Sequence, residues 1–382
     1  MYRVEYTIAS YGSMIADPIR MDAYVRALEQ TVRPGMSCSS SARGRGRWRS
    51  LPPDWGAAQV IAVEVDNVIE VARQTASANG MADRITFVQA RSTELRLPQP
   101  ADVLVSDLRG ILPFHSGHVA AIVDARERLL DRSGVMIPLR DTVWAAVVEA
   151  PEAYSARVGC WTEQSRGFDL DPARQLVANT WWKHKTIPSQ LLSESVQVSL
   201  LDYQTIQEPS LDFEGNLAIH RRGTAHGLAV WFDTELTDGV GFSNAPDQPE
   251  AIYGNAFFPL LHPVAVRQGD QMLLRLRARP TAGDYVWSWS STVEREGEIL
   301  AQFRQSTALS FPFTHATLER SSADYVPALT ADGEALRLTL DLMNDDLSLS
   351  EIAVRVAQRF PQRFSHDEDA LQFTVRVAQK YA

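Results

Sequence analysis

Cysteine is nearly missing from this sequence. Cys38 and Cys160 are its two thiols in 382 residues, which excludes a disulfide scaffold and any cysteine-rich zinc module. The eight histidines are scattered, with neither an HxxxH nor an HExxH spacing, so no dedicated metal site is expected. No apolar run approaches the roughly 20 residues that span a bilayer, and the N-terminus does not read as a signal peptide. Basic charge is in deficit: 37 Lys and Arg against 47 Asp and Glu leave a net charge of −10. That balance is a poor basis for general nucleic-acid or membrane-surface binding. These shortages together describe a soluble, cytoplasmic, ordinary globular chain, long enough for two or three domains.

What is present changes character along the chain. Residues 2–35 read as helical. Asp17 is placed to cap a helix with Pro18 at its first position, and Ile19, Tyr24, Val25 and Leu28 follow at helical spacing. From Val60 to Pro138, apolar strands (60–65, 84–88, 101–107, 134–138) alternate with helices (68–78, 118–130). That alternation predicts a parallel, doubly wound α/β sheet. After Pro138 the apolar period becomes two, over 142–148, 196–201, 215–220, 228–233, 272–279 and 285–291. An antiparallel barrel or sandwich is expected there. From about Ser321 a small α+β segment is expected: Glu334–Leu342 reads as a strand, with amphipathic helices at Leu349–Phe360 and Asp367–Lys380.

In open parallel sheets, ligands sit at the carboxyl ends of the strands. Glu64 and Asp107 occupy two such ends. An acid at the position of Glu64 characteristically takes the ribose hydroxyls of an adenosine cofactor; a solvated strand-end carboxylate would look the same. Asp107, in Ser106-Asp107-Leu108-Arg109-Gly110, is either a functional acid or a turn cap.

About 20 residues before Glu64 a glycine-rich turn should follow a buried strand. The sequence there is SCSSSARGRGRWRSLPPDWG over residues 37–56. It has no apolar run, and its arginines would need partners if buried, so it does not read as the first strand. A basic, aromatic-interleaved arm for nucleic acid and a disordered surface loop both fit its composition. Neither explains a sheet without its central strand. A third reading does: the stretch is out of frame by one nucleotide. The first two bases of each written residue then become the last two of a hidden codon. With suitable first bases, residues 37–56 become VVLELGAGTGALALLAARLG, an apolar strand, a glycine turn and a helix start. The shift requires one slip near Met36 and a compensating one near Gly56.

With that segment restored, residues 1 to about 312 resemble the protein arginine methyltransferases, which are class I S-adenosylmethionine enzymes. The resemblance is carried by Tyr11-Gly12-Ser13-Met14-Ile15-Ala16-Asp17-Pro18-Ile19-Arg20-Met21 (family pattern H-x-x-M-L-x-D-x-x-R-T) and by Ile61-Ala62-Val63-Glu64. Ser106-Asp107-Leu108-Arg109-Gly110 (family S-E-W-M-G) and Gly241-Phe242-Ser243-Asn244-Ala245-Pro246, leading to Phe257-Phe258, complete it. It implies a Rossmann-like methyltransferase domain over 1–138, a β-barrel substrate and dimerisation domain over 139–320, and a head-to-tail homodimer. S-adenosylmethionine is the implied cofactor, and the methyl acceptor is a protein, peptide or small molecule. By position, Arg20 would bind the cofactor carboxylate, Glu64 the ribose hydroxyls, and Met14 would lie near the sulfonium. Ser92 and Thr93 would flank the adenine, although the family commonly has Glu where Thr93 stands. No metal is implied.

The acceptor end departs from the family. Its two glutamates on one loop correspond to Asp107, one methylene shorter, and to Ser116. The Thr-His-Trp triplet corresponds to Ala251-Ile252-Tyr253. Each charged hydrogen bond lost there costs about 1.5–3 kcal/mol, roughly 10–100-fold, which speaks against arginine as the acceptor. Asp107 is the catalytic candidate, and His115 an alternative base. Residues 168–180 match the place of the family's dimerisation arm; a surface amphipathic segment would read the same. Residues 321–382 loosely resemble the small PqqD-like peptide-recognition fold; a helical cap on the barrel would read the same. Lacking a glycine turn, the chain as written could also be a catalytically inactive scaffold, or a nucleic-acid binder through Arg43–Arg49.

Overall fold

The computed structural model describes residues 7–41, 57, 59–163, 167–281 and 283–382. Among the described residues two helices come first, α1 (Ile8–Ile15) and α2 (Pro18–Thr31). Asp17 caps α2 as its position suggests: its side chain accepts from the Arg20 N–H, and Pro18 needs no partner at the first helical position. Gly35, at φ 91°, makes the turn that follows.

Five parallel strands form the first sheet, in the order β3-β2-β1-β4-β5. They are β1 (Ser37–Ser41), β2 (Gln59–Glu64), β3 (Ile85–Gln89), β4 (Ala101–Ser106) and β5 (Leu130–Ile137), with α3 (Ile69–Ala78) and α4 (His118–Arg128) among the connections. The strand order reverses between β1 and β4, the switch point where such sheets bind ligands.

The central strand is a correction to the sequence reading. Ser37–Ser41, judged unfit for a buried strand, pairs with β2 on one side and β4 on the other. The Ser37 N–H and hydroxyl both donate to Asp102 Oδ2, at 2.7 and 2.9 Å, fixing where the strand starts. Flanking apolar strands leave a slot whose backbone hydrogen bonds any residue can fill, so tertiary pairing overrides the weak strand preference of serine. The side chains fit less well than the backbone. Ser39 is fully buried and its Oγ has no hydrogen-bond partner among the described residues. Burial, with Asp102 nearby, pushes the Cys38 thiol up to about 11. Ser39→Val, which removes the unmatched hydroxyl and adds apolar surface, is expected to stabilise the chain by about 1–2 kcal/mol. A higher urea midpoint at unchanged slope is the readout; an unmoved midpoint would mean that the hydroxyl is satisfied. The proposed glycine turn and Arg43–Arg49 lie outside the described residues.

After Pro138 the chain is antiparallel. One sheet has the order β7-β12-β10-β6-β8, with β11 on β10; the other has the order β15-β14-β13-β9. Their strands are β6 (Arg140–Val148), β7 (Trp182–His184), β8 (Val196–Asp202), β9 (Leu211–Ala218), β10 (Gly223–Thr237), β11 (Val240–Ser243), β12 (Asn255–Val266), β13 (Gln271–Pro280), β14 (Tyr285–Arg295) and β15 (Glu298–Ser306). The short helices α5 (Pro151–Tyr154), α6 (Cys160–Glu163) and α7 (Asp171–Ala178) interrupt them after β6. The core runs on from the parallel sheet into this one, through Phe114, Phe232, Phe258 and Trp287.

His184 and His226 sit in this part. Burial lowers the pKa of each imidazole, and Glu152 opposes the shift in both. A folded-state pKa below the free value favours folding while the ring is neutral. That stability is present above about pH 6.5 and is lost as pH falls below it. Denaturation midpoints are therefore expected to drop between pH 7.5 and 5.5, and less so in His226→Gln; an equal drop in both proteins would place the effect elsewhere.

Residues 313–382 form a separate compact unit from residues 1–312. It holds α8 (His315–Arg320), α9 (Ala331–Leu342), α10 (Leu349–Arg359) and α11 (Asp367–Tyr381). The expected strand at 334–342 is instead helix α9. The Thr330 hydroxyl caps it by accepting the Gly333 N–H, and Ala335 and Leu342 pack with Ile352, Val356 and Ala370. The α+β expectation for this segment thus fails; its described residues carry helices without strands. Short apolar spacing fits both periods, and the cap decides between them.

Candidate active site

The register brings the strand ends together. Ser41 stands opposite Val63 on one side and Ser106 on the other. The two acids read from the sequence, Glu64 and Asp107, each follow one of these partners directly.

Beside Glu64 lies a cavity of about 220 Å³, lined by Val63, Val65, Arg91, Ser92, Thr93, Leu108, Gly117 and three alanines, Ala90, Ala120 and Ala121. Its walls come from the ends of β2 and β3 and the start of α4. Ser92 and Thr93 are among its lining residues. Glu64 lies between two lining residues and is itself buried; its Oε1 accepts the Asp66 N–H at 2.8 Å. A largely apolar lining with the hydroxyls of Ser92 and Thr93 in it suits a flat purine, and the neighbouring carboxylate suits a diol.

The second cluster centres on Asp107. Arg20 donates to Asp107 Oδ2 from Nε and Nη2, at 2.9 and 2.5 Å. Arg109 donates to Oδ1 from Nε and Nη2, both at 3.3 Å. The Tyr253 hydroxyl donates to the same carboxylate at 3.2 Å and accepts from Arg20 Nε at 3.1 Å. Arg20 is 1% exposed and Asp107 3%. Burial opposes the charge on Arg20, but Asp107 together with Tyr253 and Tyr24 more than offsets it, and the guanidinium stays above its ordinary pKa. Asp107 is thus a paired, buried acid.

Several elements hold this arrangement. Met14, at the end of α1, accepts Arg20 Nη1 on its carbonyl at 2.9 Å. Asp17 accepts the Ile252 N–H at 2.8 Å on the oxygen its cap does not use, tying the start of α2 to the 251–253 loop. Asn244 anchors that loop from the Gly241–Pro246 motif. Its Oδ1 takes the Phe232 N–H and its amide donates to the Gly254 carbonyl. Gly254 has φ 58°, a conformation that favours glycine.

Behind Asp107 runs a buried chain that sequence reading missed. Arg109 Nη1 donates to Asp141 Oδ1 at 2.7 Å and to the Thr234 hydroxyl at 2.5 Å, and Nη2 donates to the Tyr24 hydroxyl. The Tyr203 hydroxyl donates to Asp141 Oδ2 at 2.5 Å and accepts from His118 Nε2 at 3.0 Å. Asp141 is the second residue of β6 and Thr234 lies on β10, so the partners come from distant strands. An arginine beside Asp107 in the written motif was the one available signal.

Ser116, at the place of the family's second glutamate, has φ 48°, and its N–H donates to Asp284 Oδ1 at 3.1 Å. The His115 ring packs on Gly110, where an added Cβ would meet it at 2.7 Å. Among the described residues no group of three metal-ligating side chains gathers, and no helix is long and apolar enough to cross a membrane.

A parallel sheet in the order 3-2-1-4-5, with acids at the ends of two strands and an antiparallel β domain after it, is the architecture of a methyltransferase joined to a barrel. Comparison with known proteins is consistent with it. Residues 140–292 match the family model of the arginine methyltransferase oligomerization subdomain. An arginine N(ω)-methyltransferase of Streptomyces achromogenes subsp. streptozoticus is 29% identical over 274 residues, 69% of this chain and 74% of that protein. Protein arginine N-methyltransferase 8-B of Danio rerio is 26% identical over 59% of this chain and 55% of its own length. Among solved structures, the Trypanosoma brucei PRMT1 enzyme-prozyme heterotetrameric complex with AdoHcy aligns with TM-score 0.69 at 21% identity, over 78% of this chain and 96% of that one. Arabidopsis thaliana protein arginine methyltransferase 10 aligns with TM-score 0.67 at 18% identity, over 78% of this chain and 97% of that one. In sequence and fold the chain is protein arginine methyltransferase-like.

Proposed function

We propose that the protein is built for S-adenosylmethionine-dependent methyl transfer to a protein, peptide or small-molecule nucleophile. The observation that carries this reading is the cavity at the carboxyl ends of the parallel strands, lined by Ser92 and Thr93, with Glu64 buried beside it. S-adenosylmethionine supplies a methyl group on a sulfonium. Glu64 accepts the ribose hydroxyls, and Ser92 and Thr93 flank the adenine. Arg20 holds the cofactor carboxylate, sharing or exchanging Asp107, and Met14 lies near the sulfur. Asp107 orients the acceptor. The chemistry needs proximity and in-line placement more than covalent help.

Residues 1–138 act as the cofactor domain, and 139–320 as the substrate and dimerisation domain. Residues 321–382 act as an accessory domain; its helices without strands do not carry the PqqD-like resemblance, so no peptide-binding role is assigned to it. Homodimerisation through residues 168–180 is supported by Phe168, 73% exposed next to α7, and by the matched oligomerization subdomain. A cytoplasmic location accords with the two free cysteines. The acidic balance speaks against nucleic acid as partner. A second reading, an inactive scaffold, is favoured by one feature: residues 42–56 as written contain no glycine turn. Calorimetry with S-adenosylhomocysteine, on the chain with residues 37–56 restored to the shifted frame and on its Glu64→Ala variant, tests the proposal. Saturable binding that Glu64→Ala removes is expected; a restored chain that does not bind overturns it.

A further inference from the structure

The loop that carries Asp107 meets the cavity twice. Leu108, at its start, and Gly117, at its end, both line the wall. Asp107 precedes one and Ser116 the other, so both positions stand beside the cavity. By sequence only the first of them carries a carboxylate. The fold brings a carboxylate to the second as well, from the turn between β13 and β14.

That carboxylate is Asp284. Its Oδ1 accepts the Ser116 N–H at 3.1 Å, across 168 positions of chain. Both partners are held in place. On the loop, Ser116 has φ 48°, a left-handed conformation that a residue with a Cβ adopts only at a cost. Phe114, 2% exposed, seats the loop on β14, where it meets the rings of Tyr285 and Trp287 edge-on at 5.7 and 5.9 Å. On the turn, Gly283 has φ 111°, which favours glycine. Thr281 closes that turn, donating its N–H and its hydroxyl to the Asp284 carbonyl at 2.7 and 3.1 Å.

A tether needs one oxygen, and asparagine would serve as well. Asp284 uses one and keeps the other: among the described residues Oδ2 has no partner and the carboxylate no cation. The side chain is half-buried, so water screens its charge only in part. Asp107, by contrast, has Arg109 beside it whichever partner Arg20 takes.

We propose that Asp284 is a specificity-determining residue of the acceptor site: its open carboxylate oxygen takes an N–H of a positively charged acceptor, while Asp107, at the other end of the loop, orients it. The β domain then supplies part of the site itself. This rests on the methyl-transfer reading of the same cavity. Asp284 takes no proton and forms no bond to the methyl group. It fixes the direction of the nucleophile, since a cation held by two carboxylates cannot turn as one held by a single carboxylate can.

The test is calorimetric, on the full chain with residues 37–56 restored and S-adenosylhomocysteine bound. A Gly-Arg-Gly peptide and the uncharged Gly-Gln-Gly are the probes. Gly-Arg-Gly is expected to bind saturably, at least about tenfold tighter than Gly-Gln-Gly. Asp284→Asn keeps an oxygen for the Ser116 N–H and removes the charge. It is expected to weaken Gly-Arg-Gly about tenfold or more, the scale of one charged hydrogen bond, and to leave Gly-Gln-Gly and S-adenosylhomocysteine unchanged. Asp284→Glu, which keeps the charge, is expected to retain the preference for Gly-Arg-Gly. Undiminished binding by Asp284→Asn, or an equal loss for both peptides, makes Asp284 a tether and overturns the inference. A restored chain that binds S-adenosylhomocysteine but neither peptide overturns it too. A restored chain that does not bind S-adenosylhomocysteine sinks the methyl-transfer reading alone; the peptides are then titrated into the chain as it stands, with the same outcomes for Asp284.

Discussion

Replacing residues 37–56 with VVLELGAGTGALALLAARLG is expected to turn a chain with no saturable S-adenosylmethionine binding at tens of micromolar into one that binds. The change in affinity should exceed about 100-fold, the equivalent of 2.7 kcal/mol or more. The reason is local. The methionine half of such a cofactor approaches the backbone where glycine alone leaves room. The written sequence puts arginine at four positions between 43 and 49. The strand feeding the turn is already in place: Ser37–Ser41 keeps parallel register on both sides. What it lacks is apolar side chains, as the unmatched Ser39 hydroxyl shows. Glu64→Ala in the restored chain should abolish the gain, because it removes charged hydrogen bonds worth about 1.5–3 kcal/mol each. Tight binding by the unaltered chain would overturn this view of the segment. Sequencing the gene across the codons for Met36 to Ala57 checks the same point independently. The shifted frame should spell a glycine turn; a frame that spells nothing of the kind ends the idea.

The second large effect is on stability. Arg109→Met should destabilise the fold by about 3–5 kcal/mol, the cost of leaving one partner of a buried ion pair alone. Asp141 is fully buried and would keep the Tyr203 hydroxyl but lose its guanidinium. Burial opposes the charge on Arg109, and Asp141 is the main group holding it well above its ordinary pKa. Removing both charges, as Arg109→Met with Asp141→Asn, should recover much of the loss, since paired replacement of buried ions is often near neutral. Urea midpoints of the two single variants and the double variant give the coupling directly. Additive effects would mean that the two residues do not act as a pair.

Much of this protein is legible in its sequence, because the signals are periodic and local. Alternating apolar strands and helices between residues 60 and 138 give the parallel sheet, since a buried parallel strand must be apolar on both faces. Asp17 before Pro18 gives a helix start, and Glu64 and Asp107 mark strand ends where ligands gather. Other features depend on partners far along the chain. Residues 37–41, four serines and a cysteine, carry no strand signal; β2 and β4 make a strand of them by offering hydrogen bonds on both sides. Residues 334–342 fit a strand by local pattern, and a helix forms because Thr330 caps it and α10 and α11 cover its apolar face.

The sequence by itself determined the order of the layers and which acids stand at the sheet's edge. Only the tertiary structure decided what those acids can do. Arg20, Arg109 and Tyr253 converge on Asp107 from three distant parts of the chain, and Asp141 and Thr234 hold Arg109 there. Charge pairing in a buried space depends on distance and on exclusion of water, and neither is written in the spacing of residues along a chain.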